Sequence, residues 1–244
     1  MATLTNISLA LTLFIIGNLQ IIAQNRNNNS IEGSGYVITK TVNTQPYNSI
    51  NISGSMDVFL EKGTEGNISI TAEDNVQDRI VVESDGTTLT ISMKNKTSLR
   101  NTKKIKITVP FEYLSEISLR GSGNVEGRDI LKSSSLAVNL QGSGQIKVAV
   151  ESNSVNAQLN GSGDLTLSGK VTDVEVKTTG SGNFEGKELN SENAQIYISG
   201  SGDSTVYAKN SLKARIQGSG SIFYAGNPIS NDVKVMGSGK VKSI

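Results

Sequence analysis

Aspartates recur at a fixed offset along this chain, and two of them sit at a spacing that glycoside chemistry could use. The offset is counted from Gly-Ser-Gly triplets that begin at Gly121, Gly142, Gly161, Gly180, Gly200, Gly218 and Gly237. Three residues downstream stand Asn124, Gln145, Asp164, Asn183, Asp203, Ser221 and Lys240, with Asp57 in the same place after a degenerate Gly54-Ser55-Met56. If each triplet marks one winding of stacked strands, Asp164 and Asp203 lie two windings apart, about 9.6 Å between backbones at ~4.8 Å per strand. That is the wide end of the roughly 6.5–9.5 Å between the two carboxylates of an inverting glycosidase. A polysaccharide-acting β-helix enzyme using Asp164 and Asp203 is therefore one reading, and a weak calcium site on the same carboxylates is a variant of it. The structural alternative is that an Asx side chain directly after a tight bend caps the turn with its own oxygen. Capping is the expected role, and the chain is expected not to be an enzyme.

Composition closes most other chemistry. The 244 residues hold no Cys, no His and no Trp, which removes thiol nucleophiles, disulfides, the common zinc sites and every Ser-His-Asp triad. Gly237-Ser238-Gly239-Lys240 suggests a phosphate loop, but Lys234 and Val241 stand where that loop needs Gly and Ser or Thr. Gly121 and Gly123 are followed by Gly127, one residue too far for a dinucleotide fingerprint. No cofactor and no metal are expected.

With Lys+Arg 23 against Asp+Glu 22, the formal charge is only +1. Nucleic acid is disfavoured by that balance and by an aromatic content of 5%. One cationic run remains: Lys94, Lys96, Arg100, Lys103, Lys104 and Lys106, with no acid between Asp85 and Glu112. Its last part alternates Lys104 and Lys106 with Ile105 and Ile107, as the wet face of a strand does; the functional alternative is contact with an anionic glycan or lipid headgroup.

Met1 to Asn25 carries no charged side chain, and Ile7 to Ala23 is largely apolar. Residues 1–23 therefore read as an export signal, with Ala23 at the cleavage site and a mature start near Gln24. Export to the periplasm, the outer-membrane surface or the medium is expected, with no membrane span in the mature chain. Residues 24–39 read as a flexible lead-in and first strand.

The elements that would carry these residues follow from the triplets. Glycine is abundant, and 16 of the 25 glycines fall in eight Gly-Ser-Gly triplets. Successive triplets from Gly121 on are separated by 21, 19, 19, 20, 18 and 19 residues, a period that means a solenoid. The positions four and two before the first glycine and four and six after it are apolar in 23 of 28 cases, counting Ala. The odd positions between minus five and plus five are apolar only at Ala137, Tyr197, Phe223 and Met236 of 35. Strand side chains alternate with period two, so one face is buried, the other is wet, and the serine of each triplet points outward. The path must also bend within each winding. The bend is assigned to the glycine pairs Gly121 and Gly123, Gly142 and Gly144, Gly161 and Gly163, Gly180 and Gly182, Gly200 and Gly202, Gly218 and Gly220, and Gly237 and Gly239. On this reading both glycines face inward and clear the core.

The fold class is accordingly all-β, a single-stranded parallel β-solenoid of about 19–20 residues per repeat. Residues 40–115 show the same alternation without the short repeat, at Ile50 and Ile52, Val58 and Leu60, Leu89 and Ile91, and Ile105, Ile107 and Val109. No linker separates the two parts. One domain is expected over 40–244, with an irregular larger-coil part at 40–115 and the repeats at 116–244.

The segments Tyr47-x-x-Ile50-x-Ile52-Ser53-Gly54-Ser55-x-Asp57-Val58-x-Leu60, Leu89-x-Ile91 and Ile105-x-Ile107-x-Val109-Pro110, followed by the triplets, resemble the bacterial family called putative auto-transporter adhesin, head GIN domain. The resemblance runs over roughly residues 40 to 240. It implies a right-handed β-helix exported to the cell envelope, with no established catalytic residue to carry over. Only Lys240 to Ile244 follow the last triplet, so self-translocation through a barrel of its own is not expected. The expected function is an adhesin-like or scaffold module that binds a surface glycan or an envelope partner through an outer face. The alternatives are the Asp164 and Asp203 enzyme and a periplasmic sensing or assembly partner. The last winding leaves a strand edge open, where Lys240 and Lys242 discourage stacking; a homo-oligomer through the solenoid ends is the competing expectation there.

Overall fold

The computed structural model describes residues 30–94 and 98–244. Over them the chain is almost wholly strand, apart from one four-residue helix at Asp74–Gln77 that the alternation does not signal. The export signal and Lys96 of the cationic run lie outside the described residues.

The chain is a β-solenoid of about 7 turns. Its strands stack in parallel with Gly54, Gly121, Gly142, Gly161, Gly180, Gly200, Gly218 and Gly237 in one column. Alternation decides what lies inside. Ile50, Ile117, Val138, Ala157, Val176, Ile196 and Ala214 form one internal ladder, and Ile52, Leu119, Leu140, Leu159, Ile198 and Ile216 another; none of these is more than 3% exposed. Two polar members of the inward set, Thr178 and Ser204, are equally buried, and their hydroxyls have no hydrogen-bond partner among the described residues.

The triplet bend has a different cause from the one the alternation suggests. Each first glycine has a φ between 116° and 140°, a region that L side chains avoid. A Cβ there would be driven into the carbonyl oxygen of the glycine one winding earlier. That carbonyl accepts two backbone N–H groups from the next bend, those of the serine and the second glycine, at 2.9–3.2 Å. In the windings before the last, the second glycine is buried and the first only half-buried, so the inward placement is corrected at the first glycine alone: there the stacking neighbour, not the core, forbids a side chain. At the second position the core adds to the constraint, since a Cβ on Gly163 would also stand 3.0 Å from Leu140 Cδ2. Met56 explains the degenerate triplet. It takes the second-glycine position in the first winding of the column, where no triplet lies beneath, and its side chain is fully buried.

A second corner lies opposite. Pairing runs Ser133 to Ser152 and then Ser135 to Ser154, skipping one residue on each strand. A register irregularity falls at this corner between Ser191 and Asn193, and two others fall earlier in the winding, between Thr166 and Gly169 and between Gly186 and Asn190. Windings of 20 and 18 residues are thus accommodated away from the triplets. The corner carries its own polar ladder, in which Ser154 Oγ donates to Ser135 Oγ at 3.0 Å, Asn193 Nδ2 to Asp173 Oδ1 at 2.9 Å and Ser211 Oγ to Asn193 Oδ1 at 2.8 Å.

Residues 40–115 close the N-terminal end. Thr88–Met93 and Lys106–Phe111 pair in parallel with Ser49–Gly54 and Asp57–Lys62. Antiparallel pairs then cover the edge: Val37–Asn43 with Asn67–Glu73, Asn67–Glu73 with Lys106–Phe111, and Ile80–Ser84 with Thr88–Met93. The lead-in also needs correction from Ser30 on. Ser30–Glu32 pairs with Ser98–Arg100, and the buried Glu73 carboxylate accepts the Gly35 N–H at 2.6 Å and the Lys103 N–H at 2.9 Å. Satisfying that carboxylate is what ties the segment down.

The C-terminal end is different. Val233 and Val235 continue the two internal ladders but are 47% and 37% exposed. Ser230–Gly237 pairs only with Ser204–Gly218, and Lys240–Ser243 only with Ser221–Ala225, among the described residues. Lys240 and Lys242 are both exposed there. No helix among the described residues is long and apolar enough to cross a membrane.

Candidate functional site

The aspartates after the bend are rungs of a ladder. Asn124 Nδ2 donates to Asp57 Oδ1 at 2.7 Å, Asn183 Nδ2 to Asp164 Oδ1 at 3.0 Å, the Asp203 N–H to Asn183 Oδ1 at 3.1 Å and the Ser221 N–H to Asp203 Oδ1 at 2.7 Å. Asn183 therefore stands between Asp164 and Asp203. The concavity beside Asp164, about 290 Å³ between Gln145, Lys147, Thr166 and Glu185, is not lined by Asp203. Among the described residues no three carboxylates come together as a metal site would require. The geometry makes these side chains rungs between successive windings rather than caps of their own turns, and among the described residues it brings Asp164 and Asp203 into no common cleft.

The cationic run is spread through the connection at the N-terminal end. Lys104 pairs with Asp57 at 3.5 Å, Lys106 lies opposite Asp57 and Thr71 in the sheet, and Arg100 is in the short strand against Glu32. Lys94 ends the strand Thr88–Met93, where its N–H bonds the Arg79 carbonyl. None of the described members lines the grooves that follow.

The concave surface is elsewhere, on the outer face just before the bend. Residues one and three before each first glycine point outward and stack into two columns. One groove of about 420 Å³ is lined by Asn51, Ser118, Arg120, Asn139, Gln141, Gln158 and Asn160. A second, of about 470 Å³, is lined by Lys177, Thr179, Tyr197, Ser199, Arg215, Gln217, Lys234 and Met236. They lie end to end, because Gln158 pairs with Lys177 and Asn160 with Thr179 across adjacent windings. Part of the lining is fixed by neighbours: Arg120 Nε donates to Gln141 Oε1 at 2.9 Å and Asn139 Nδ2 to Glu116 Oε1 at 3.0 Å. The side chains of Gln158, Asn160, Thr179, Ser199 and Gln217 make no hydrogen bond among the described residues. In the upper groove the bond from Lys177 to Glu175 holds the ammonium pKa above its ordinary value, and the Arg215 guanidinium holds Asp232 below the usual carboxylate range.

A sequence reading reached the slots but not the grooves. The outward polar positions are countable from the triplets. Their meeting in one surface depends on the stacking register, which joins residues about 19 apart.

The family model described as putative auto-transporter adhesin, head GIN domain, matches residues 46–228. The chain belongs to this family. Among solved structures it is similar to a putative adhesin from Bacteroides fragilis NCTC 9343, 28% identical, with a TM-score of 0.83 over 88% of this chain and 100% of that one. It is also similar to a putative lipid binding protein from Parabacteroides distasonis ATCC 8503, 26% identical, with a TM-score of 0.73 over 88% and 99%. A putative adhesin from Parabacteroides merdae ATCC 43184, 21% identical with a TM-score of 0.68 over 88% and 99%, shares the fold. No curated protein matches. The matched span begins beside Tyr47, a buried residue near the start of the first winding, and ends before the last triplet.

Proposed function

We propose that this protein is a non-enzymatic, exported adhesin-like module that binds a linear surface glycan along the outer face before the bend. One observation carries the reading: two grooves lie end to end on one face, and the amide and hydroxyl groups of Gln158, Asn160, Thr179, Ser199 and Gln217 along them make no hydrogen bond among the described residues. Sites that hold small polar ligands set a few directed donors and acceptors in a concavity. An amide supplies both, as a sugar hydroxyl requires, and Tyr197 adds a flat apolar surface for a ring. Family membership among adhesins supports the same reading.

The test is a titration of the protein against a panel of soluble polysaccharides, with reducing-end release measured in parallel. Gln158→Ala with Asn160→Ala is expected to weaken binding by about tenfold, the loss of two directed hydrogen bonds, without moving the melting temperature. Asp164→Asn with Asp203→Asn is expected to bind as the parent does. Release of reducing ends by the parent, abolished in the double Asn variant, would replace this function with the enzyme reading.

A further inference from the structure

The upper groove is chemically unlike the lower one. Its lining column three before the bend runs Lys177, Tyr197, Arg215 and Lys234, and the column five before the bend, Glu175, Gln195, Lys213 and Asp232, flanks it. The ammonium groups of Lys177 and Lys213 each lie 5.7 Å from the centre of the Tyr197 ring. Glu175 answers Lys177 and Asp232 answers Arg215, so four cations face two carboxylates. Lys234 makes neither a hydrogen bond nor an ion pair among the described residues. In the lower groove Arg120 is the one cation and donates to Gln141, and the adjacent winding presents only Asn156, Gln158 and Asn160.

We infer that the upper groove is a subsite for an acidic sugar, a uronate or sulfated residue of the glycan chain. Its anionic group sits between Lys213, Arg215 and Lys234, and its ring lies against Tyr197. The inference rests on the proposed glycan function. The surplus charge selects an anion. Lys177, Arg215 and Lys234 lie in line along the stack, and the amide groove continues the same line, which suits a chain polymer rather than a single headgroup.

The experiment compares alginate, polygalacturonate and chondroitin sulfate with their carboxyl-reduced or desulfated forms, by affinity electrophoresis and calorimetry on the full chain. At least one acidic polymer is expected to bind about tenfold more tightly than its neutralised form and to weaken with added salt. Lys234→Ala, and separately Lys213→Ala, is expected to erase that difference and its salt dependence with the melting temperature unchanged. Equal binding of acidic and neutralised forms, with Gln158→Ala still weakening both, overturns the acidic subsite and leaves the glycan function standing. Binding to no polymer overturns both. Stronger binding to phosphatidylserine vesicles than to any polymer, lost in Lys234→Ala, overturns the saccharide class.

Discussion

At the scale of single residues, the triplet separates two roles that its symmetry conceals. In the triplets from Gly121 on, the serine is exposed and its side chain makes no hydrogen bond among the described residues, while each glycine is hemmed in by a carbonyl of the winding before it. Gly163→Val is expected to cost roughly 1–3 kcal/mol or more, because neither the Gly144 carbonyl nor Leu140 can yield without breaking the ladder. Ser162→Ala, at an open surface position, is expected to stay within about 0.5 kcal/mol of the parent. Urea melts of the two variants check the pair, and equal midpoints would contradict the assigned bend. The aspartates show the complementary case. Asp164 and Asp203 have the residue type and spacing of a catalytic pair, yet each is already committed to a neighbour's amide or N–H.

At the scale of the winding, the bend and the unpaired stretch between Gly186 and Asn190 tolerate change differently. Lys187 and Glu188 pair with neither adjacent winding, so an alanine inserted between them is expected to cost about 1 kcal/mol or less, a melting shift of about 2–4 °C. The same insertion between Ser181 and Gly182 reverses which side chains face inward downstream and displaces the glycine column. Loss of a cooperative thermal transition in the second variant only is the expected outcome. This contrast also explains what the sequence could show. The inside–outside alternation of Ile117, Leu119 and their counterparts was legible because each winding repeats it against the same core. The second corner was not, because it is made by skipped pairings around Ser134 and Asn153 rather than by a residue type. The tie at Glu73 was hidden for another reason: its partners, Gly35 and Lys103, lie 38 and 30 residues away. The grooves stayed out of reach because Gln158 and Lys177 are neighbours only after stacking.

At the scale of the molecule, stability is a sum over adjoining windings, each of which buries its ladder only against the next. Removing Asp164–Gly182 brings Asn183 onto Gln145, which occupy the same register position. The shortened chain is expected to remain folded, with a far-ultraviolet spectrum of unchanged shape and a cooperative urea transition at a somewhat lower midpoint. An unfolded product would show that a long-range contact, not nearest-neighbour stacking, holds the rod together. The columns also give the order of assembly a sense. Every triplet glycine from Gly121 on leans on the winding made earlier in the chain, and Met56 stands in the first winding of the column. As the polypeptide leaves the ribosome, the closed end is therefore complete before its first dependant arrives, and each later segment meets a finished template. Lengthening by duplication then requires no new invention: a copied cassette of about nineteen codons adds one more rung of grip, whereas the founding end admits no such copy.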